Sequence, residues 1–362
     1  MNELEALLFL THTPYLGSVK IQLLIQHFGS SLAAAQADPA LLMDLPGFGP
    51  RIVLSWKENL KNKKWLETLD LAEKESIQII DYTHALYPKR LLELIDYPLV
   101  LYVKGSLRPQ DRHSLAVIGT RQASIYGLEM SMQLSGEMAQ AGFTIVSGLA
   151  RGIDTAAHEA TLGKGRTIAI LGSGFHHIYP KENEMLAKKI IENGALITEF
   201  PMTTPPDKQH FPQRNRIVSG MTLGTVLIEA PLQSGAMITC SQAYNQGRPV
   251  FALPGRVDQM NFQGNHYLIK NQQARLIENS KDVIMSFGDL FTSLPVKPSI
   301  QRVIPLEKEE EDLILRLPSE ELSIEDILTR TKLPIAKLNV LLMSLVLKKA
   351  IKEYPGKIYK KF

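Results

Sequence analysis

Two guanidinium groups, an amide and an aromatic ring fall within six residues at Phe211-Pro212-Gln213-Arg214-Asn215-Arg216. Arginine offers forked donors matched to phosphate, and a phenylalanine face can stack on a base. On a helix, residues 214 and 216 point different ways, because neighbours on one face are three or four apart. Arg216 is therefore expected to bond to the sheet, leaving Arg214 and Asn215 for a ligand. Three further turns carry related chemistry: Val117-Ile118-Gly119-Thr120-Arg121, Ser147-Gly148-Leu149-Ala150-Arg151-Gly152-Ile153-Asp154, and Leu171-Gly172-Ser173-Gly174. Each follows a short apolar run. Glycine there lets the backbone turn sharply and lets a ligand approach the main chain. Several such turns along one edge read as a surface for a phosphate-bearing polymer, since a single nucleotide needs one or two. Lys181, Lys208 and His210 extend the charge.

Other residues have plainer readings. Ser124 is placed to N-cap the helix after Arg121, leaving backbone N–H groups for an anion. Asp154 reads as the cap of the next helix, with His158 one turn on as its hydrogen-bond partner. Gly172-Ser173-Gly174 lacks the third glycine of a dinucleotide fingerprint, with His177 in its place. No phosphate-loop lysine motif occurs either. Glu229 at a strand end, followed by Ser234-Gly235, keeps a second class open: a Rossmann enzyme of phosphoribohydrolase type, with Glu229 polarising water. That class uses a Pro-Gly-Gly-x-Gly-Thr loop, which this chain lacks.

These turns need a frame. Between Leu115 and Leu253 short apolar strands alternate with helices, and the strands lean apolar throughout. That pattern predicts an α/β fold with a doubly wound parallel sheet covered on both faces. Ligands then sit at the carboxyl ends of the strands, where all four turns fall. Residues 1–65 read as a small helical domain with two punctuated units. The second, Leu45-Pro46-Gly47-Phe48-Gly49-Pro50-Arg51, resembles a helix-hairpin-helix turn. The expected boundaries are 1–65 for that domain, 66–291 for an extended Rossmann-like domain, 292–305 for a proline-marked linker and 306–362 for a winged helix. The last ends in Lys348, Lys349, Lys352, Lys357, Lys360 and Lys361 against Glu353, a patch suited to DNA, to protein docking or to plain solvation.

The bulk numbers are those of an ordinary globular protein: 362 residues, 44% hydrophobic, 21% charged, net charge +3. Local clusters of charge therefore matter more than the total. The single cysteine, Cys240, excludes a disulfide framework and a cysteine zinc site. No apolar run reaches the ~20 residues that cross a bilayer, and the acidic start, Met1-Asn2-Glu3-Leu4-Glu5, does not read as a secretory signal. A cytoplasmic location is expected.

Over about residues 75–290 the chain resembles the DNA-processing protein A (DprA or Smf) family. The resemblance rests on Gly119-Thr120-Arg121, the Ser147–Asp154 run, Tyr179-Pro180, Phe211–Ile217, Ser234-Gly235-Ala236-Met237-Ile238-Thr239 and Leu253-Pro254-Gly255. It implies an extended Rossmann domain that binds single-stranded DNA, forms a homodimer and helps load the recombinase RecA in natural transformation. It implies neither catalysis nor a cofactor. Carried over, the pocket residues are Arg121, Ser147, Gly148, Gly172, Lys181, Phe211 and Arg214, beside Asn215 from the residue pattern above.

Overall fold

The computed structural model describes residues 1–288, 306–318, 320–348, 350–354 and 356–361. The expected linker 292–305, Lys349 and Pro355 lie outside the described residues. The chain divides into two compact units, Met1–Val296 and Lys297–Phe362.

The first unit opens with five helices, α1 (Glu3–Thr11), α2 (Ser18–Phe28), α3 (Ser31–Gln36), α4 (Pro50–Asn62) and α5 (Lys64–Lys74). Phe9, Trp56 and Trp65 lie at their centre, with the Phe9 and Trp56 rings edge to face at 4.9 Å. This apolar cluster continues into Leu99, Val100 and Tyr102. The helices thus belong to the same compact unit as the sheet.

Strands and helices then follow as β1 (Gln78–Asp81), β2 (Val100–Gly105), β3 (Ser114–Ile118), α6 (Ile125–Gln140), β4 (Thr144–Ser147), α7 (Ile153–Thr161), β5 (Thr167–Ile170), α8 (Glu184–Asn193) and β6 (Ala195–Thr198). The second half adds α9 (His210–Gly220), β7 (Gly224–Leu227), α10 (Gly235–Asn245), β8 (Val250–Ala252), α11 (Gln263–Lys270), β9 (Arg275–Leu276) and α12 (Ser280–Met285). The sheet order is β1-β2-β6-β5-β4-β3-β7-β8-β9. β1, β2 and β6 pair antiparallel, and every pairing from β6 through β9 is parallel.

Every residue of β3 is buried, as a strand covered on both faces requires. Its side chains alternate between two cores. Leu115 and Val117 join Leu134 and Met138 of α6 and Ile153 of α7. Ala116 and Ile118 join Ile217 and Val218 of α9 and Cys240 of α10. Burial pushes the Cys240 thiol up to about 12, so it acts as a small inert hydrophobe. The strand order reverses between β3 and β7, and that reversal opens a crevice at their carboxyl ends.

The second unit contains α13 (Lys308–Arg316), β10 (Leu322–Ser323), α14 (Ile324–Thr331), α15 (Ile335–Leu347), β11 (Ile351–Tyr354) and β12 (Ile358–Lys361). Its three strands pair antiparallel in the order β10-β12-β11. Leu313, Ile327, Leu338, Leu342 and Ile351 form its core. The terminal lysines are more engaged than their spacing implies. Lys348 donates to Glu310 at 2.7 Å, Lys360 lies 3.7 Å from Glu321, and Lys361 donates to the Ile314 carbonyl.

Candidate functional site

The crevice at the β3/β7 reversal is a cleft of about 650 Å³. The turn after β3 forms one wall, through Gly119, Thr120, Arg121 and Gln122. α9 forms another, through Phe211, Pro212, Arg214 and Asn215, and the start of α10 closes it with Ser234 and Gly235. Arg121 is exposed, and no carboxylate pairs with it among the described residues. Its guanidinium carbon stands 5.3 Å from the centroid of the half-buried Phe211 ring, a cation–π distance. The Tyr179 ring packs against the same residue, tilted, at 5.7 Å. The result is a cation and an aromatic face presented together to solvent.

Arg214 lines the same cleft from below. Its side chain is only 5% exposed, and its Nη1 donates to the Ile170 carbonyl at 2.7 Å. The guanidinium lies against the bare main chain at Gly148, where an added Cβ would stand 1.8 Å from Nη1. Asp154 faces it. The Asp154 carboxylate accepts from the Gly148 N–H at 3.1 Å and the Ala150 N–H at 3.3 Å. Burial pulls Arg214 down to about 10, against the pull of Asp154 and with the repulsion of Arg121. Burial also raises Asp154, held back by Arg214. Arg214 thus keeps its charge at neutral pH and gives the cleft a cationic floor.

The other expected site residues divide. Gly148 and Asn215 line the cleft, and the Asn215 amide donates to the Gly235 carbonyl at 3.3 Å. Ser147 does not reach it. Its hydroxyl is fully buried and donates to the Val117 carbonyl at 2.7 Å, bonding β4 to β3. Gly172 is buried behind Phe211, where a Cβ would stand 2.9 Å from the ring; it seats the aromatic rather than a ligand. Lys181 is exposed on a short turn before α8 and is absent from the cleft lining, whereas Lys208 lines it. His210 stacks on Phe200 at 4.3 Å. Arg216 is held in ion pairs by Glu199 at 2.7 Å and Asp96 at 2.8 Å, whereas the bond to a sheet strand expected of it is made by Arg214.

Three other assignments change. Ser124 does cap α6, accepting from the Gly127 N–H at 3.0 Å, but its own N–H donates to Glu229. The helix start is therefore occupied by a carboxylate of the protein. Glu229 itself is fully buried and also accepts from the Ser124 hydroxyl at 2.7 Å and Asn261 at 2.6 Å. A sealed, saturated carboxylate cannot polarise water, so the phosphoribohydrolase reading loses its base. Asp154 caps no helix end, since Gly152 holds that position, and His158 bonds to Thr167 at 2.6 Å instead of to Asp154. Among the described residues no group of three or more His, Cys, Asp and Glu is placed to hold a metal. No described helix is long and apolar enough to cross a membrane.

Comparison with known proteins identifies the family and the fold. A family profile described as DNA recombination-mediator protein A matches residues 78–288. Protein Smf of Escherichia coli K12 is 37% identical over 248 residues, covering 68% of this chain and 65% of that relative's length. The X-ray structure of DNA processing protein A from Streptococcus pneumoniae superposes with a TM-score of 0.67 at 29% identity, covering 79% of this chain and 98% of that one. A DNA processing protein A structure from Helicobacter pylori, described for its single-stranded DNA binding mode, has a TM-score of 0.54 at 30% identity over 59% of this chain and 97% of that one.

Proposed function

The chain belongs to the DNA recombination-mediator protein A family, and on that footing we propose that it binds single-stranded DNA in the cleft at the carboxyl edge of its sheet. The observation that carries this reading is Arg121. It is an exposed cation with no carboxylate partner among the described residues, set over an aromatic face and backed by the buried charge of Arg214. Phosphate meets the guanidinium groups, and a base stacks where Phe211 is open. The cations meet phosphate, which carries no sequence information, so binding is sequence-tolerant. The relatives support the ligand class, the Helicobacter pylori structure above all.

The finer role follows the family: protection of incoming strands, loading of RecA in natural transformation, action as a homodimer in the cytoplasm, and no catalysis. The order of helix, strand, two helices and two strands in the second unit supports a winged-helix reading. Competition tests the ligand class. Labelled oligothymidylate on the full chain should be displaced by unlabelled single strand and not by duplex of equal length. Equal displacement by duplex would contradict the reading.

A further inference from the structure

A second concave surface lies at the other end of β3. It is a cleft of about 640 Å³ built from residues 85–93, residues 107–113 and Met221 after α9. Residues 107–113 and Met221 directly precede β3 and β7 at the amino edge of the sheet, and the β1–β2 connection reaches them there, Arg90 donating to the Arg112 carbonyl at 2.6 Å. Lys89, Arg90, Arg108 and Arg112 line it, against the carboxylates Glu93 and Asp111. Both carboxylates are already matched. Glu93 pairs with Arg248 at 2.8 Å, and Asp111 with the buried Arg166 at 2.8 Å. Among the described residues none of the four lining cations forms an ion pair; Arg90 is held by the Arg112 carbonyl, and Lys89 donates to the His84 carbonyl at 3.2 Å.

The cations are crowded. Burial lowers the Arg90 pKa and the charge of Arg248 lowers it further, with Glu93 opposing and Arg112 adding to the fall. His113 is lowered by burial and then by Arg112 and Arg90. Like charges held together cost free energy unless an anion joins them. The cleft floor is apolar, through Leu86, Leu107 and Met221. A volume of this size is that of a small-ligand pocket. It admits a splayed nucleotide of a flexible strand, whereas a rigid duplex would ride only on the rim.

We propose that this amino-edge cleft is a second phosphate-backbone site, holding a more distant stretch of the same single strand. The proposal rests on the reading of the carboxyl-edge cleft as a single-strand site. Arg214 and Met221 sit on and just after α9, roughly 10 Å apart along its axis, so one helix spans the space between the two clefts. Binding should then depend on strand length in a way one cleft alone does not produce.

The test is a titration of the full chain with oligothymidylates of about 6 and about 30 nucleotides, at two salt concentrations. Wild type should bind the longer strand more tightly and with a steeper salt dependence. Lys89→Ala/Arg108→Ala/Arg112→Ala changes three exposed side chains. It should leave the short strand's affinity unchanged, which also reports an intact fold. It should lower the long strand's affinity on the order of tenfold and its salt slope by about 2. Arg108→Lys/Arg112→Lys should keep most of the length advantage. Unchanged long-strand affinity and slope in the triple variant would overturn the proposal. Wild type that binds neither strand would overturn the single-strand reading itself.

Discussion

Gly148 and Arg214 occupy complementary space: the guanidinium of one fills the volume that a side chain at the other would take. A Cβ at position 148 would stand 1.8 Å from Arg214 Nη1 and 2.5 Å from its Cζ. The glycine is thus required by a neighbour's charge as much as by the turn. Gly148→Ala should displace that buried cation, lower stability by about 1–3 kcal/mol and weaken single-strand binding. Denaturant titration checks the first effect. Adding Arg214→Met should recover part of the stability without recovering the binding, a non-additivity expected of residues in contact.

Phe211 is held by Tyr179 on one side and by Gly172 behind. Phe211→Ala should cost about 1–3 kcal/mol of oligothymidylate affinity through lost stacking. Phe211→Tyr, which keeps the ring, should cost little. Equal losses in the two variants, read by fluorescence anisotropy, would mean that no base lies on this ring.

Glu229 ties the turn after β7 to the start of α6 through Ser124 and to Asn261. Glu229→Gln puts an amide donor among donors and should destabilise the first unit by about 1–3 kcal/mol. Neither wild type nor variant should release base from nucleoside monophosphates. Turnover that vanishes in Glu229→Gln would restore the enzyme reading.

His158 is buried on the face of α7 toward β5, its Nδ1 on Thr167 and its Nε2 without a hydrogen-bond partner among the described residues. Burial, with the nearby charge of Arg214, holds it down at about 3. The unfolded side chain titrates near ~6.5, so between these values the unfolded state binds the extra proton. Stability is therefore full above about pH 6.5 and falls as pH drops toward 3, by up to ~1.4 kcal/mol per pH unit from this group. His158→Gln should flatten that slope in melts taken across the range. An unchanged slope would assign the acid sensitivity elsewhere.

Much of this arrangement was legible in the residues, and the exceptions have physical causes. The apolar strands and their glycine turns led to the parallel sheet and the edge on which Arg121, Arg214 and Phe211 meet. The spacing of 214 and 216 separated the two arginines, but it is Arg214 that reaches the sheet, at the Ile170 carbonyl, while Arg216 is held by Glu199 and Asp96. Ser147 misled because a strand's last residue and a turn's first look alike in sequence, while only pairing shows its hydroxyl on Val117. The burial of Glu229 had a trace in Gly127, a glycine inside a helix where a Cβ would stand 1.9 Å from Glu229 Oε2. The amino-edge cations had none: Lys89, Arg90, Arg108 and Arg112 come from two connections that only the folded sheet brings together.

The central claim is that Arg121 neutralises phosphate of a single strand. The most direct measurement is the slope of log affinity against log salt for short oligothymidylate, in wild type and in Arg121→Ala. Arg121→Ala should bind more weakly, with a slope shallower by about 0.7, one phosphate contact on a single strand, and with melting unchanged because Arg121 is exposed. Equal slopes and equal affinities would contradict that claim.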